Sequence, residues 1–448
     1  MLEGLEISVV KLSEVLEDVD LRLESEYYNS EHIVFNSVQG CDIESFSQYG
    51  TSEDLNEEGK GFPILRLNEF DSFFISKPSK YCDLISKETF ELLKLKKNDV
   101  LICRTNGNPK YVGKAAIVPK NYEYAFASYV FRLRPKTDII NSATLVSFLN
   151  SKYGRIEIEK YSMVGNQANF SPAKFRQIAI PILSKELNNK IEEIVYKSFE
   201  LLEESKSLYS QAEDLLLGEL GLKDWQPKNT LHTTKKFSDF AQSGRLDAEY
   251  YQPKYDEIEK AIKSYKGGYD IVSNLFNQNL DVCDYKKTEY NYVEIGDVNV
   301  GDGSVSFNKV ETSELPDNAK RVLHKNDILI SKVRPYRGAV AIIDFEQEDL
   351  IGSGAFTVLQ QKSSYMKETL QILFRTAVYK DWLLKWNVGS SYPVIKDEDI
   401  LNLPIPILPE AIQTKIASLI QQSFECKAQS KQLLEDAKRM VEAEIEKN

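Results

Sequence analysis

Lys97-Asn98-Asp99-Val100-Leu101-Ile102 returns 228 residues later as Lys325-Asn326-Asp327-Ile328-Leu329-Ile330. In each copy the aliphatic run Val100-Leu101-Ile102-Cys103 or Ile328-Leu329-Ile330 reads as a β-strand. The repetition extends outward from this strand. Arg22-Leu23-Glu24-Ser25-Glu26-Tyr27-Tyr28 returns as Arg245-Leu246-Asp247-Ala248-Glu249-Tyr250-Tyr251, an offset of 223. Ile180-Pro181-Ile182-Leu183 matches Ile405-Pro406-Ile407-Leu408, and Ser198-Phe199-Glu200 matches Ser423-Phe424-Glu425, both offset by 225. So small a drift over half a chain is what loop-length changes within a duplicated unit produce. Two such units can lie about a pseudo-twofold axis, a geometry suited to a target with two halves.

Further strands are expected at Ala115-Ala116-Ile117-Val118 and Tyr129-Val130-Phe131-Arg132-Leu133. Their counterparts are Ala339 to Ile343 and Ala355 to Leu359. With helical stretches at Ser142 to Tyr161 and Met366 to Trp386, the pattern predicts a mixed α+β fold in each unit. At 448 residues the chain exceeds the usual size of one core, which agrees with two units.

A long amphipathic helix is expected to close each unit. One heptad register runs through Leu187, Ile191, Ile194, Ser198, Leu201, Ser205, Leu208, Ala212, Leu215 and Glu219. Adding 225 gives Ile412, Ile416, Leu419, Ser423, Cys426, Ser430, Leu433, Ala437, Met440 and Glu444. Small residues recur at the same interior positions and let two helices approach closely, so the reading is an intramolecular antiparallel coiled-coil pair. Its packing residues would be Leu187, Ile191, Ile194, Leu201 and Leu208 against Ile412, Ile416, Leu419, Leu433 and Met440.

Charge sharpens the functional reading. The net charge of -12 argues against a nucleic-acid ligand until it is mapped: residues 1–60 hold fifteen Asp and Glu against three Lys and Arg. The remainder is neutral and contains two repeat-equivalent basic stretches. Residues 94–120 carry seven Lys and Arg with Asp99 alone opposing them, and residues 320–338 carry six with Asp327 alone. Within these stretches lie two loops, Arg104 to Lys114 and Ser331 to Gly338, mixing cations and amides with glycines that let backbone approach a ligand. The candidate DNA contacts are Arg104, Asn106, Asn108, Lys110, Tyr111 and Lys114 in the first and Lys332, Arg334, Tyr336 and Arg337 in the second. A second polar loop in each half adds Asn166, Gln167 and Asn169, and Ser390, Ser391 and Tyr392.

Candidate catalytic motifs fail one by one. Asn108-Pro109-Lys110-Tyr111 is similar to the Asn-Pro-Pro-aromatic tetrapeptide of amino-methyltransferases, but lysine replaces the second proline and no glycine-rich donor loop precedes it. Gly107 to Ala115 has five residues between its glycines where a Walker A loop needs four, and Ala115 stands at the Ser/Thr position. Asp99 with Arg104 and Asp327 with Lys332 suggest a metal-nuclease site, yet a Glu-x-Lys element is missing from the next strand. Five scattered cysteines and three distant histidines compose neither a zinc site nor a nucleophile-base pair. The chain reads as a binder, without a metal and without a membrane-spanning run, and is expected in the cytoplasm.

The order of these features, met twice, resembles the specificity subunit of a type I restriction-modification system over nearly the whole chain. The carriers are Asn98 to Gly113 and Asn326 to Gly338, Gly165 to Leu183 and Gly389 to Leu408, and the long helix after each. The resemblance implies target-recognition domains at 1–184 and 235–408, spacer helices at 185–221 and 409–448, and a linker at 222–234. Each domain would read one half of a split double-stranded DNA sequence, with the helices setting the gap. Two copies of an adenine-N6 methyltransferase subunit would dock on it and bind S-adenosylmethionine, and motor-nuclease subunits would use ATP and magnesium. This chain would bind no cofactor. A duplicated metal-dependent DNA nuclease and a protein-only coiled-coil scaffold are the alternative readings.

Overall fold

Val100–Cys103 forms a strand whose four side chains are all buried, and the first unit is organised around it. The computed structural model of the chain describes residues 9–17, 35–162, 168–228, 230, 232–389 and 392–447. It divides into two compact units, Met1–Leu202 with Ala428–Asn448, and Glu203–Lys427. The repeat copy Arg22 to Tyr28 lies outside the described residues.

In the first unit β1 (Glu44–Tyr49), β2 (Val100–Cys103), β3 (Ala115–Ile117) and β4 (Val130–Pro135) form an antiparallel sheet in the order β1-β4-β2-β3. Alternation along β2 sends Val100 and Ile102 to one face and Leu101 to the other. Val100 and Ile102 join a core with Phe131, Leu145, Phe148, Ile191 and Val195. Leu101 joins a second core with Ile64, Leu65, Phe90 and Phe126. That second core underlies a smaller sheet, in which Phe62–Leu65 pairs parallel with Ala125–Phe126 and antiparallel with Lys80–Cys82.

The second unit repeats the strand order. β5 (Phe276–Gln278), β6 (Ile328–Ser331), β7 (Val340–Ile342) and β8 (Phe356–Gln361) pair as β5-β8-β6-β7. Ile328 and Ile330 face one core with Leu370 and Phe374, and Leu329 faces another with Val293 and Leu350. The smaller sheet again contains a parallel pair, Glu289–Val293 with Leu350–Ser353, and an antiparallel neighbour, Asn308–Glu311. It adds Ala319–Val322 at its edge.

Both expected helical stretches are helical, and each is divided by a capping residue. Ser142–Leu149 and Lys152–Tyr161 meet where Ser151 Oγ accepts from Gly154 N and caps the second helix. Lys367–Arg375 and Ala377–Trp382 meet at Thr376, which caps in the same way through Tyr379 N. A capping hydroxyl inside a helical pattern stops one helix and starts another, because its own backbone is extended.

Two long helices close the units: α1 (Lys185–Leu220) and α2 (Glu410–Ile445), each of 36 residues and so about 54 Å long. The first half of α1 packs with the last half of α2 in the first unit, and the remaining halves pack together in the second. This pairing is antiparallel. In the first unit Ser198 Oγ lies 2.9 Å from both the carbonyl oxygen and Oγ of Ser430. In the second, Ser205 Oγ lies 3.0 Å from Ser423 Oγ, which donates to the Ser205 carbonyl at 2.8 Å. All four serines are buried, so each hydroxyl is satisfied only at one axial register.

The seam differs from the expected heptad at every second position. It runs through Ile191, Val195, Ser198, Leu202, Ser205, Ala212 and Leu216, and through Ile416, Ile420, Ser423, Ser430, Leu434, Ala437 and Val441. Ile191 and Ile416 occupy their expected places, and Leu201 is also buried. Leu187, Ile194 and Met440 are only partly buried against the first core, as are Ile412 and Leu419 against the second. Leu208 and Leu433 are half-buried. Each half-helix covers a sheet-backed core as well as its partner, so the apolar stripe widens beyond a coiled-coil seam and turns toward the sheet.

Ser205→Leu is expected to lower the urea unfolding midpoint, overpacking the close approach at a cost of about 1–3 kcal/mol. The double change Ser205→Ala with Ser423→Ala should be near neutral, because both hydroxyls leave together. Equal losses from the two variants would remove the register role from these serines.

Candidate nucleic-acid interface

Each basic loop follows a strand that starts from a turn built by the repeated Asn-Asp pair. Asn98 and Asn326 adopt left-handed backbone, at φ 70° and 74°. Asp99 then accepts from Lys96 N at 2.9 Å, and Asp327 accepts from His324 N at 2.9 Å, closing the turn and aiming the following strand. Both carboxylates are buried. Arg132 and Arg134 pair with Asp99 at 3.2 and 2.5 Å, whereas Asn279 and Gln360 each donate to Asp327 at 2.9 Å. These carboxylates are therefore committed to the turn, and the metal-nuclease pairing with Arg104 or Lys332 does not form. Among the described residues no group of three or more His, Cys, Asp and Glu is placed to hold a metal ion.

Beyond β2 the chain enters the first loop. Thr105–Asn106 pairs with Ala168–Asn169, and Phe170 N donates to the Arg104 carbonyl at 2.7 Å, so the basic loop and the second polar loop lie side by side. Asn166 and Gln167 lie outside the described residues. The Arg104 guanidinium stands over the Tyr49 ring at 5.0 Å and donates to the Ser128 carbonyl at 3.4 Å. Asn106 Oδ1 accepts from Asn108 N at 2.8 Å and Asn108 Oδ1 from Lys110 N at 3.1 Å. Those two amides shape the loop and cap the turn Pro109–Tyr111. Lys110 and Tyr111 are exposed, and Lys114 is half-buried. Two exposed aromatics that are not among the candidate contacts, Tyr49 and Tyr129, flank Arg104: the guanidinium covers the Tyr49 ring, and Arg104 N donates to the Tyr129 carbonyl.

The second unit builds the same juxtaposition from different side chains. Lys332 occupies the place of Arg104: its N donates to the Ala355 carbonyl, and Ile395 N donates to its carbonyl at 3.0 Å. Its ammonium turns inward and pairs with Asp397 at 3.1 Å, an aspartate that Thr357 also holds. Lys332 is thus a structural cation rather than an outward contact. Arg334 stacks over the Tyr392 ring at 4.4 Å, and its N donates to the Pro393 carbonyl at 2.8 Å. Tyr336, Arg337 and Tyr392 are exposed; Ser390 and Ser391 lie outside the described residues. Arg334, Arg337 and Tyr392 rim a groove of about 370 Å3 floored by Val298, Val300, Val333 and Ala339. Behind it, buried Arg375 donates to the carbonyls of Gly338 and Val300, both at 2.9 Å, and to the Tyr209 hydroxyl of α1. No repeated motif contains Arg375, which is the last residue of the helix Lys367–Arg375.

Residues 270–439 match the family described as the type I restriction modification DNA specificity domain. Over that segment, 170 of the 448 residues, the chain is similar to a DNA specificity domain of this type. The resemblance stated from the sequence is borne out there. No curated protein matches. Among solved structures, the type I restriction-modification S subunit from M. genitalium is 13% identical, with a TM-score of 0.44, covering 93% of this chain and 96% of that one. The HsdS subunit from Thermoanaerobacter tengcongensis is 13% identical with a TM-score of 0.28, covering 92% and 96%. A chain from a study of complex assembly and conformational transition of the type I R-M system is 14% identical with a TM-score of 0.29, covering 92% and 97%.

Arg334 holds left-handed backbone at φ 49° and ψ 52°, which costs a non-glycine residue about 1–2 kcal/mol. Arg334→Gly should therefore keep or raise the melting temperature, while Arg334→Ala, which retains the strain and loses the stack on Tyr392, should lower it. Equal falls in both variants would contradict the strain at this position.

Proposed function

We propose that the chain reads a bipartite double-stranded DNA target, one half through each unit, as the specificity subunit of a type I restriction-modification enzyme. The observation that carries this is the paired-loop surface met twice. One strand order presents a loop bearing Arg104 beside the 168–170 segment, and the same order presents Arg334 and Arg337 beside the 388–394 segment. Guanidinium groups donate to guanine O6 and N7 or grip phosphates, and exposed tyrosines stack or hydrogen-bond. Different side chains on one scaffold suit different DNA words.

In this reading the chain performs no bond-making step and binds no cofactor. Methyl transfer belongs to two docked adenine-N6 methyltransferase subunits carrying S-adenosylmethionine, and cleavage belongs to motor-nuclease subunits using ATP and magnesium. Partner subunits then supply much of the phosphate neutralisation that an acidic chain lacks. No helix among the described residues is long and apolar enough to cross a membrane.

Arg104→Ala and Arg334→Ala are each expected to weaken binding of one half-site only, by about 1–3 kcal/mol where a bidentate base contact is lost. Binding to duplexes altered in one half at a time, with the methyltransferase partner present, measures this. Equal loss at both halves from either variant, or DNA cutting by the purified chain with magnesium, would overturn the proposal.

A further inference from the structure

The heptapeptide Arg245 to Tyr251 is one of the two copies of the most conspicuous repeat in the sequence, and none of its side chains belongs to the recognition loops. Its contacts lead there nonetheless. The Arg245 guanidinium forms a fork with Asp247, Nε to Oδ2 at 2.6 Å and Nη2 to Oδ1 at 3.0 Å. It also reaches 142 residues onward: Nη2 donates to the Asn387 carbonyl at 2.8 Å and Nη1 to the Trp386 carbonyl at 3.4 Å. Its face lies over the Tyr250 ring at 5.0 Å. The pair with Asp247 raises the guanidinium pKa further and holds the aspartate below the usual carboxylate range, so both stay charged.

Trp386 and Asn387 are the stem of the polar loop. Immediately after them Val388 and Val394 exchange backbone hydrogen bonds at 2.9 and 3.0 Å, closing a hairpin that presents Tyr392. The other stem residue, Ile395, is tied to Lys332, and Pro393 is tied to Arg334. The hairpin is thus gripped by the recognition loop on one side and by a charged fork on the other. Arginine suits that second grip because several N–H groups in one plane can serve a carboxylate and two carbonyls at once.

We infer that Arg245 is a positioning residue for DNA reading by the second unit: it holds the 386–387 stem so that Tyr392 meets Arg334 in the geometry that reads DNA. The inference rests on the proposed function. It assigns to the repeated heptapeptide the task of bracing a recognition hairpin, at a distance from the DNA.

The test replaces Arg245 in the full chain in its own cells and reads N6-methyladenine positions by single-molecule sequencing of genomic DNA. Arg245→Gln should relax one half of the methylated motif, the same half that Arg334→Ala relaxes, with about tenfold poorer discrimination, the scale of one lost charge-assisted hydrogen bond. The other half stays unchanged. Arg245→Lys, which keeps the charge without the fork, should relax the same half by less. If Arg245→Gln depletes the protein, Arg245→Lys with Asp247→Asn decides the matter in the soluble chain. An unchanged motif, or equal relaxation of both halves, overturns the inference. A wild-type chain that yields no bipartite motif would instead bring down the functional reading and this inference with it.

Discussion

Burial of one strand on both faces is the constraint from which the rest of each unit follows. β2 and β6 have no solvent face, so their side chains must alternate between two separate cores, and elements must be supplied on both sides. The long helices and the short helices of each unit cover one face, and the smaller sheet covers the other. A strand held this way cannot slip by a residue without exchanging its two faces. Its end is therefore a fixed point, and the loop that leaves it starts from a known place and direction.

Most of the charge near these loops is spent internally. Asp99 is shared by Arg132 and Arg134, Asp397 pairs with Lys332, and Asp247 holds Arg245. In the second unit, then, Lys332 is held by a carboxylate, Arg334 is half-buried over Tyr392, and Arg337 is exposed. Lys332 and Arg104 occupy equivalent backbone positions in the two units and have different partners: Lys332 pairs with Asp397, while Arg104 lies over Tyr49 and donates to the Ser128 carbonyl. Whether a cation faces inward depends on a carboxylate brought close by folding, and Asp397 lies 65 residues away in sequence. An aromatic partner decides the alternative: Arg104 has Tyr49, and Arg334 has Tyr392.

Several features were legible in the residues because they are local. The strand after Asn-Asp, the two long helices, and the duplicated order of elements all follow from short-range propensity and periodicity. The helix seam was half legible: Ile191, Ser198, Ser205, Ala212 and their counterparts fell where the heptad placed them. The intervening positions moved to Val195, Leu202 and Leu216 because a helix facing both a partner and a sheet core buries a broader stripe than a 3.5 period describes. The loop residues were the least legible. Asn106 and Asn108 have the chemistry of base readers and act as turn caps, since a short amide finds a neighbouring backbone N–H sooner than a distant ligand.

By itself the sequence determined that there are two similar α+β units, which strands and long helices they contain, and which two segments carry the basic residues. Pattern and propensity act between near neighbours, and that suffices for such statements. Only the tertiary structure decided that each basic loop lies against the second polar loop, that Arg375 and Arg245 hold the loops of the second unit from behind, and which cations turn inward to a carboxylate. Those outcomes depend on backbone carbonyls and carboxylates brought together from up to 142 residues apart, and no local pattern records which partner will arrive.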